Sequence, residues 1–359
     1  MAQVPLEEHI ESAAAAGLRY VTDTMPGIRR KRRGRSFVFL GVDGLPVEDQ
    51  AELQRFRSLV IPPAWTDVWI CAEPSGHLQV TARDAKGRKQ YRYHPSYRQI
   101  RDETKFGRIF SFAEVLQTIR ERVERDLQLP DHPREKVLAT VVSLLEKTLI
   151  RVGTDEYARD NGSYGLTTLR RKHVAVNGAK LRFEFRGKSR ILHTVALTDR
   201  RIARIVQRCQ ELPGEELFKY VDGEGRRYQV DAVDINDYLR EITGRDDVTA
   251  KDFRTWAGTM LAAAALRGLG PATTERQAKS NVVKAIDEVA RRLGNTRAVC
   301  RRYYVHPAVL DAYMRGEVVP APPDDQGGER RGTMHATLRR EEAAVLECLK
   351  RWTAPKPRT

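Results

Sequence analysis

The chain has 359 residues, more than one small module needs and enough for two domains with appendages. Its apolar fraction of 41% builds ordinary cores, while 63 Lys and Arg against 48 Asp and Glu leave a formal charge of +15, a balance that points to a polyanionic partner and first of all to nucleic acid. Four cysteines (Cys71, Cys209, Cys300, Cys348) show no CxxC spacing, which excludes a zinc framework and fits reduced thiols in a cytoplasmic protein.

The chain opens on MAQVPLEEHI, with acids where a signal peptide carries its basic head. Together with Ala13 to Ala16 this stretch predicts a helical arm over 1–25. A basic run from Arg29 to Arg35 leads into Ser36-Phe37-Val38-Phe39-Leu40, which is strand-like by its aromatic and β-branched content. Helical spacing over 47–59 is stopped by Ile61-Pro62-Pro63. Segments 68–72 and 77–82 read as two strands. Residues 1–104 are thus expected to form a small, mainly antiparallel β domain with a helix or two.

The composition then shifts. Segments 112–127, 132–151, 199–212, 235–242, 249–266, 275–293 and 306–314 repeat apolar residues at helical spacing. The longest apolar run, Met260 to Leu266, is far too short for a bilayer, so no membrane partner is expected. One β insertion interrupts the helices. Val174 and Val176 lead to the turn Asn177-Gly178, and Leu181, Phe183 and Phe185 then alternate with Arg182, Glu184 and Arg186. A second turn at Gly187-Lys188 puts Lys188 at or beside a hairpin tip. The expected fold class is α+β: the β-rich domain, a larger mainly α domain over 105–319, and a linker with a basic tail over 320–359. Within that tail, Pro320 to Gly328 is linker-like, and 337–352 is expected to hold a short helix. The tail's role stays open: phosphate contacts, a partner site, or neither.

Five segments of the helical half carry reactive groups: Leu149-Ile150-Arg151-Val152-Gly153 with Asn161 to Leu169 following, Phe185-Arg186-Gly187-Lys188, Thr249 to Trp256, Leu293-Gly294-Asn295-Thr296, and Cys300 to Pro307. Singly, an Arg, Lys or Tyr in so basic a chain is an ordinary surface residue. In order, the set Arg, Lys, KxxR, Asn, Tyr resembles the active site of the type IB topoisomerases, in the compact bacterial and poxvirus-like branch. The first half resembles the same branch independently, through Pro26-Gly27-Ile28 with its basic run, Ile61 to Ile70, and Asp84 to Pro95. The resemblance spans roughly residues 20 to 315.

It implies relaxation of positive and negative supercoils through a single-strand break held by a 3′-phosphotyrosyl bond, without ATP, cofactor or metal. No His, Cys or carboxylate cluster has metal-ligand spacing. The charge on the phosphate would then come from Arg151 and Arg254, whose planar forks stay cationic. Lys188 suits a general acid for the leaving 5′ oxygen, since an ammonium can give up a proton where a guanidinium effectively cannot. Tyr304 is the nucleophile by its context of an apolar residue and then His-Pro, with Tyr303 as the rival. Asn295 stands where viral and eukaryotic relatives carry histidine; it can donate a hydrogen bond but cannot shuttle a proton.

The resemblance also implies DNA contacts at Gln90, Tyr91, Tyr93 and Tyr157, with Arg88, Lys89 and Lys251 beside them; Tyr157 is expected a helical turn or so beyond Arg151. On a strand, alternation puts Gln90 and Arg92 on one face and Lys89, Tyr91 and Tyr93 on the other. The run from Arg29 to Arg35 and the cluster Arg170-Arg171-Lys172 suit phosphates. A monomer closing on duplex DNA as a C-shaped clamp, joined near residues 102–107, is expected in the cytoplasm on the nucleoid. The alternatives are a site-specific tyrosine recombinase and a basic nucleoid protein without activity.

Overall fold

The computed structural model describes residues 6–34, 36–321 and 334–354. Arg35 of the basic run, the first five residues, and the linker and tail beyond 321 up to 333 and after 354 lie outside the described residues. The chain divides into two compact units, one ending at Phe106 and one beginning at Gly107. Helix and antiparallel sheet are both present and segregated, an α+β arrangement.

The first unit starts with helix α1 (Leu6–Ala15). It is shorter than the expected arm: Gly17, at φ +67°, takes a left-handed turn that ends it. Strands β1 (Gly27–Arg33) and β2 (Ser36–Leu40) form a hairpin, followed by α2 (Gln50–Ser58), β3 (Thr66–Cys71), β4 (Leu78–Arg83) and β5 (Lys89–Tyr93). As far as Arg33 the basic run is therefore itself a strand, which its charge concealed. All neighbours pair antiparallel in the order β2-β1-β3-β4-β5. Alternation gives the sheet two apolar faces. Ile28, Val68, Ile70, Val80 and Ala82 cluster with Phe56 of α2 on one, and Trp69, Cys71 and Leu78 with Val21 on the other. Asp49 caps α2 by accepting from the backbone N–H groups of Ala51 and Glu52. After α2 the Ile61-to-Trp65 loop is clipped in place by two arginines. Arg30 donates to the carbonyls of Ile61, Pro62 and Trp65, and Arg92 donates to that of Val60.

Helix α3 (Pro95–Asp126) carries the chain into the second unit. It begins well before residue 112, because the polar residues of its first half mask the helical period. Helix α4 (Arg134–Thr148) follows, with Val137 to Leu145 all buried, as befits a helix that is apolar all round. Leu149 caps it in the left-handed conformation at φ 57°, so Arg151 lies beyond the helix rather than on it. Then come α5 (Asp155–Asn161) and a three-stranded antiparallel sheet of β6 (Val174–Asn177), β7 (Lys180–Arg186) and β8 (Leu192–Thr198). Leu181, Phe183 and Phe185 are buried, and Arg182, Glu184 and Arg186 exposed, as the alternation predicts.

The remainder is α6 (Arg200–Glu211), a small hairpin of β9 (Lys219–Val221) and β10 (Arg227–Gln229), α7 (Ala232–Thr243), α8 (Asp252–Leu269), α9 (Glu275–Leu293), α10 (Arg297–Tyr303), α11 (Pro307–Met314) and α12 (Met334–Thr353). One continuous core joins residues of α3, α4, α6 to α9, α11 and α12 with the inner face of the β7 strand. Helices α8 and α9 pack on each other, and α12 packs on α8 and α11. The short α5 and α10 and the β9–β10 hairpin carry too few apolar repeats to show in the sequence.

Candidate active site

Arg254, on the first turn of α8, is 4% exposed and has no carboxylate partner among the described residues. Its guanidinium donates to the carbonyls of Leu149 and Leu293 and, at 2.8 Å, to Oδ1 of Asn295. Leu149 ends α4 and Leu293 ends α9. The buried cation therefore sits between two helix C-termini, whose free carbonyls carry partial negative charge. Neutral oxygens compensate it, so its full charge remains available to an anion. Burial and, second, the nearby Arg151 push its pKa below the ordinary arginine value. Its Nε is buried and makes no hydrogen bond among the described residues.

Arg151 is held by a backbone clasp. The N–H groups of Leu166 and Thr167 donate to the carbonyls of Arg151 and Val152, each at 2.8 Å. A Cβ on Gly165 would fall 2.6 Å from the Arg151 carbonyl, so only glycine admits this approach. The segment Asn161 to Leu169 thus acts as the mould for the arginine. Arg151 Nη2 donates to Asn295 Oδ1 at 2.8 Å. A guanidinium has no acceptor, so both arginines must face the amide oxygen. That leaves the Asn295 Nδ2 donors for another acceptor.

Tyr304 follows the last residue of α10 and caps it. Its ring lies against Arg254, with the guanidinium carbon 5.1 Å from the ring centroid. Helix α8 seats its backbone. A Cβ on Gly258 would lie 2.4 Å from the Tyr304 carbonyl oxygen, and Thr259 Oγ1 accepts from the His306 N–H at 3.1 Å. Burial raises the phenol pKa, but the positive charges of Arg254, Arg151 and Lys251 outweigh it and hold the pKa below the ordinary tyrosine value. Tyr303 is 41% exposed and lies beside Arg302 instead. The structure thus brings together Arg151, Arg254, Asn295 and Tyr304, with Lys251 at the start of α8.

Lys188 has no hydrogen bond to these four among the described residues. It is exposed on the turn between β7 and β8, with Nζ 6.0 Å from the ring centroid of Tyr157 on α5. Tyr157 is therefore on a separate short helix, not on a continuation of the one before Arg151. A cavity of about 30 Å³ opens among Arg151, Tyr164, Gly187, His193, Arg254 and Leu293. His193 has no chemical motif around it in the sequence, and Gly258 and Thr259 lie in an apolar helix; only packing reveals them.

In the first unit, the candidate DNA contacts are held by two acids. Asp84 pairs with Arg88 at 2.7 Å and accepts from Gln90 at 3.0 Å. Asp23 pairs with Lys89 at 2.6 Å and accepts from Thr81 at 2.9 Å. Tyr91, 49% exposed, stacks on Tyr93 with centroids 6.1 Å apart. Arg30 is committed to three carbonyls and is not a spare surface charge.

Comparison with known proteins matches these two regions separately. The family model of the bacterial DNA topoisomerase IB N-terminal domain matches residues 36–84, and that of the eukaryotic DNA topoisomerase I catalytic core matches residues 94–316. The chain is 32% identical over 298 residues to DNA topoisomerase 1B of Acanthamoeba polyphaga mimivirus, covering 80% of this chain and 88% of the relative. It is 21% identical over 277 residues to DNA topoisomerase 1B of Vaccinia virus (strain Copenhagen), covering 74% and 82%. A core match that contains Arg151, Arg254, Asn295 and Tyr304, joined to a relative aligned along most of both chains, means that this chain belongs to the type IB DNA topoisomerase family.

Proposed function

We infer that Tyr304 attacks a backbone phosphorus of duplex DNA while Arg151, Arg254 and the Asn295 amide hold its non-bridging oxygens. The chain is a type IB DNA topoisomerase, relaxing positive and negative supercoils through a transient single-strand break. In the forward step the Tyr304 oxygen bonds to phosphorus and the bond to the 5′ oxygen breaks. Lys188 gives that leaving oxygen a proton, and resealing reverses both transfers. Because the phosphotyrosyl bond conserves the energy of the bond it replaces, no ATP is consumed. The barrier falls mainly through charge placed in advance around the anionic oxygens.

One observation carries this reading: two adjacent guanidiniums, joined by one amide oxygen and balanced by no acid among the described residues, with an acidified phenol against one of them. The long, exposed side chain of Lys188 can swing from its place near Tyr157 toward the leaving group while its turn stays in place. The first unit would bind DNA through Arg88, Lys89, Gln90, Tyr91 and Tyr93, and the second through Tyr157 and Lys251 as well as the catalytic groups. Both units carrying such groups supports a C-shaped clamp around the duplex, acting as a monomer on the cell's DNA. The reading is tested with a duplex whose cleaved fragment dissociates. Wild type and Tyr303→Phe should leave a protein–DNA adduct stable in SDS, and Tyr304→Phe none; an adduct in Tyr304→Phe would overturn the assignment.

A further inference from the structure

The turn that carries Lys188 is docked by one imidazole. His193 lies on β8 directly opposite Phe185 of β7, and their rings stack with centroids 5.4 Å apart. Two glycines face the edges of the His193 ring. A Cβ on Gly187 would lie 2.5 Å from its Cδ2, and a Cβ on Gly294 would lie 2.5 Å from its Cε1. Gly187 has φ −90°, a value any residue adopts; what glycine supplies there is room for the ring. Gly294 is also the left-handed cap of α9. Gly187 precedes Lys188, and Gly294 precedes Asn295. The imidazole is therefore wedged between the backbone leading to the general acid and the backbone leading to the amide that joins the two arginines.

We propose that His193 is a positioning residue: its ring docks the Lys188 turn against the C-terminal cap of α9 and so sets the reach of Lys188 toward the phosphate held by Arg151, Asn295 and Arg254. The proposal rests on the role assigned to Lys188 above. Three further observations fit it. The turn itself is closed by the Gly187 N–H donating to the Ile191 carbonyl at 2.8 Å, so anchoring Gly187 anchors the whole turn. Burial first and then Arg151 and Arg254 push the ring's pKa below the ordinary histidine value, which disfavours a further cation there. Its Nε2 is buried without a partner among the described residues, a cost to stability that an apolar ring would avoid, as happens where position serves function.

The test uses the full-length enzyme and two versions of one cleavable duplex, with either oxygen or sulfur bridging phosphorus to the leaving 5′ carbon. A thiolate departs without being protonated, so a defect that acts through Lys188 disappears with sulfur. His193→Ala should cleave the oxygen substrate about 10²-fold more slowly, the lower range for a lost general acid. It should cleave the sulfur substrate at close to the wild-type rate, with unchanged DNA affinity. Lys188→Ala in parallel separates the two claims. If sulfur fails to restore Lys188→Ala, the role of Lys188 falls and the proposal with it. If sulfur restores Lys188→Ala but not His193→Ala, the His193 proposal alone falls, and it falls equally if His193→Ala cleaves the oxygen substrate normally. Should His193→Ala lose its folded structure, Gly187→Ala is read the same way, because its methyl collides with the same ring.

Discussion

Asn295 does two jobs with one amide. Its oxygen accepts from Arg151 and Arg254, and its nitrogen remains to donate. Asn295→Ala removes the neutral bridge between two like charges together with the proposed phosphate donor. A fall in single-turnover cleavage of about 10²-fold is expected, the scale of losing one such donor, and Asn295→His should recover much of it. Cleavage unaffected by Ala would refute the donor role. No step in the pH–rate profile should trace to this position, since an amide does not titrate. Gly258→Ala is a different kind of lesion. Its methyl would meet the Tyr304 carbonyl at 2.4 Å, backbone against helix, where neither side can rotate away. It should slow cleavage and cost about 1–3 kcal/mol of stability by overpacking, read from a thermal melt beside the cleavage rate. The order of reactive residues made Arg151, Arg254, Asn295 and Tyr304 legible in the sequence. Gly258 and His193 were not legible, because their importance lies in distances of closest approach that no spacing encodes.

At the scale of elements, strands were legible where apolar residues ran together, as in β3, or alternated, as in β4 and β7. Strand β1 was hidden by its charge: only Ile28 of Gly27–Arg33 is buried, and pairing with β2 and β3 makes it a strand. The first half of α3 was hidden for the same reason. In the first unit, His77 stacks on Tyr20 at 4.6 Å and accepts from the Val21 N–H. Burial pushes its pKa down to about 4. The unfolded chain takes up that proton near 6.5, so between the two values the unfolded state binds more protons and stability falls as pH falls. Urea midpoints should drop from pH 6.5 to about 4, and His77→Phe should flatten that slope; an unchanged slope would remove His77 as its cause. Helix α12 contributes in the second unit. Glu342 accepts from the Trp256 indole of α8 and pairs with Arg120 of α3 at 2.7 Å, and Glu341 pairs with Arg267 at 2.7 Å. Ending the chain at residue 321 should lower the melting temperature by several degrees, because buried Val345 and Leu349 leave the core. An unchanged melt would mean that α12 is only appended.

For the whole molecule, charge and chemistry are separable. The formal charge of +15 acts on the DNA backbone through released counterions, so log affinity should fall linearly with log salt. Tyr304→Phe should leave that slope intact, since it removes a hydroxyl and no charge. The balance of basic over acidic residues made a polyanionic partner legible at once. That the two guanidiniums meet helix ends and an amide, and no acid among the described residues, was not legible, because whether an arginine meets an acid or a helix end depends on the fold. The most direct measurement is relaxation of positively and negatively supercoiled plasmid in EDTA without ATP. Wild type should relax both and Tyr304→Phe neither, at equal DNA binding; relaxation that survives in Tyr304→Phe, or that requires an added divalent metal, would contradict a phosphate handled by side chains alone.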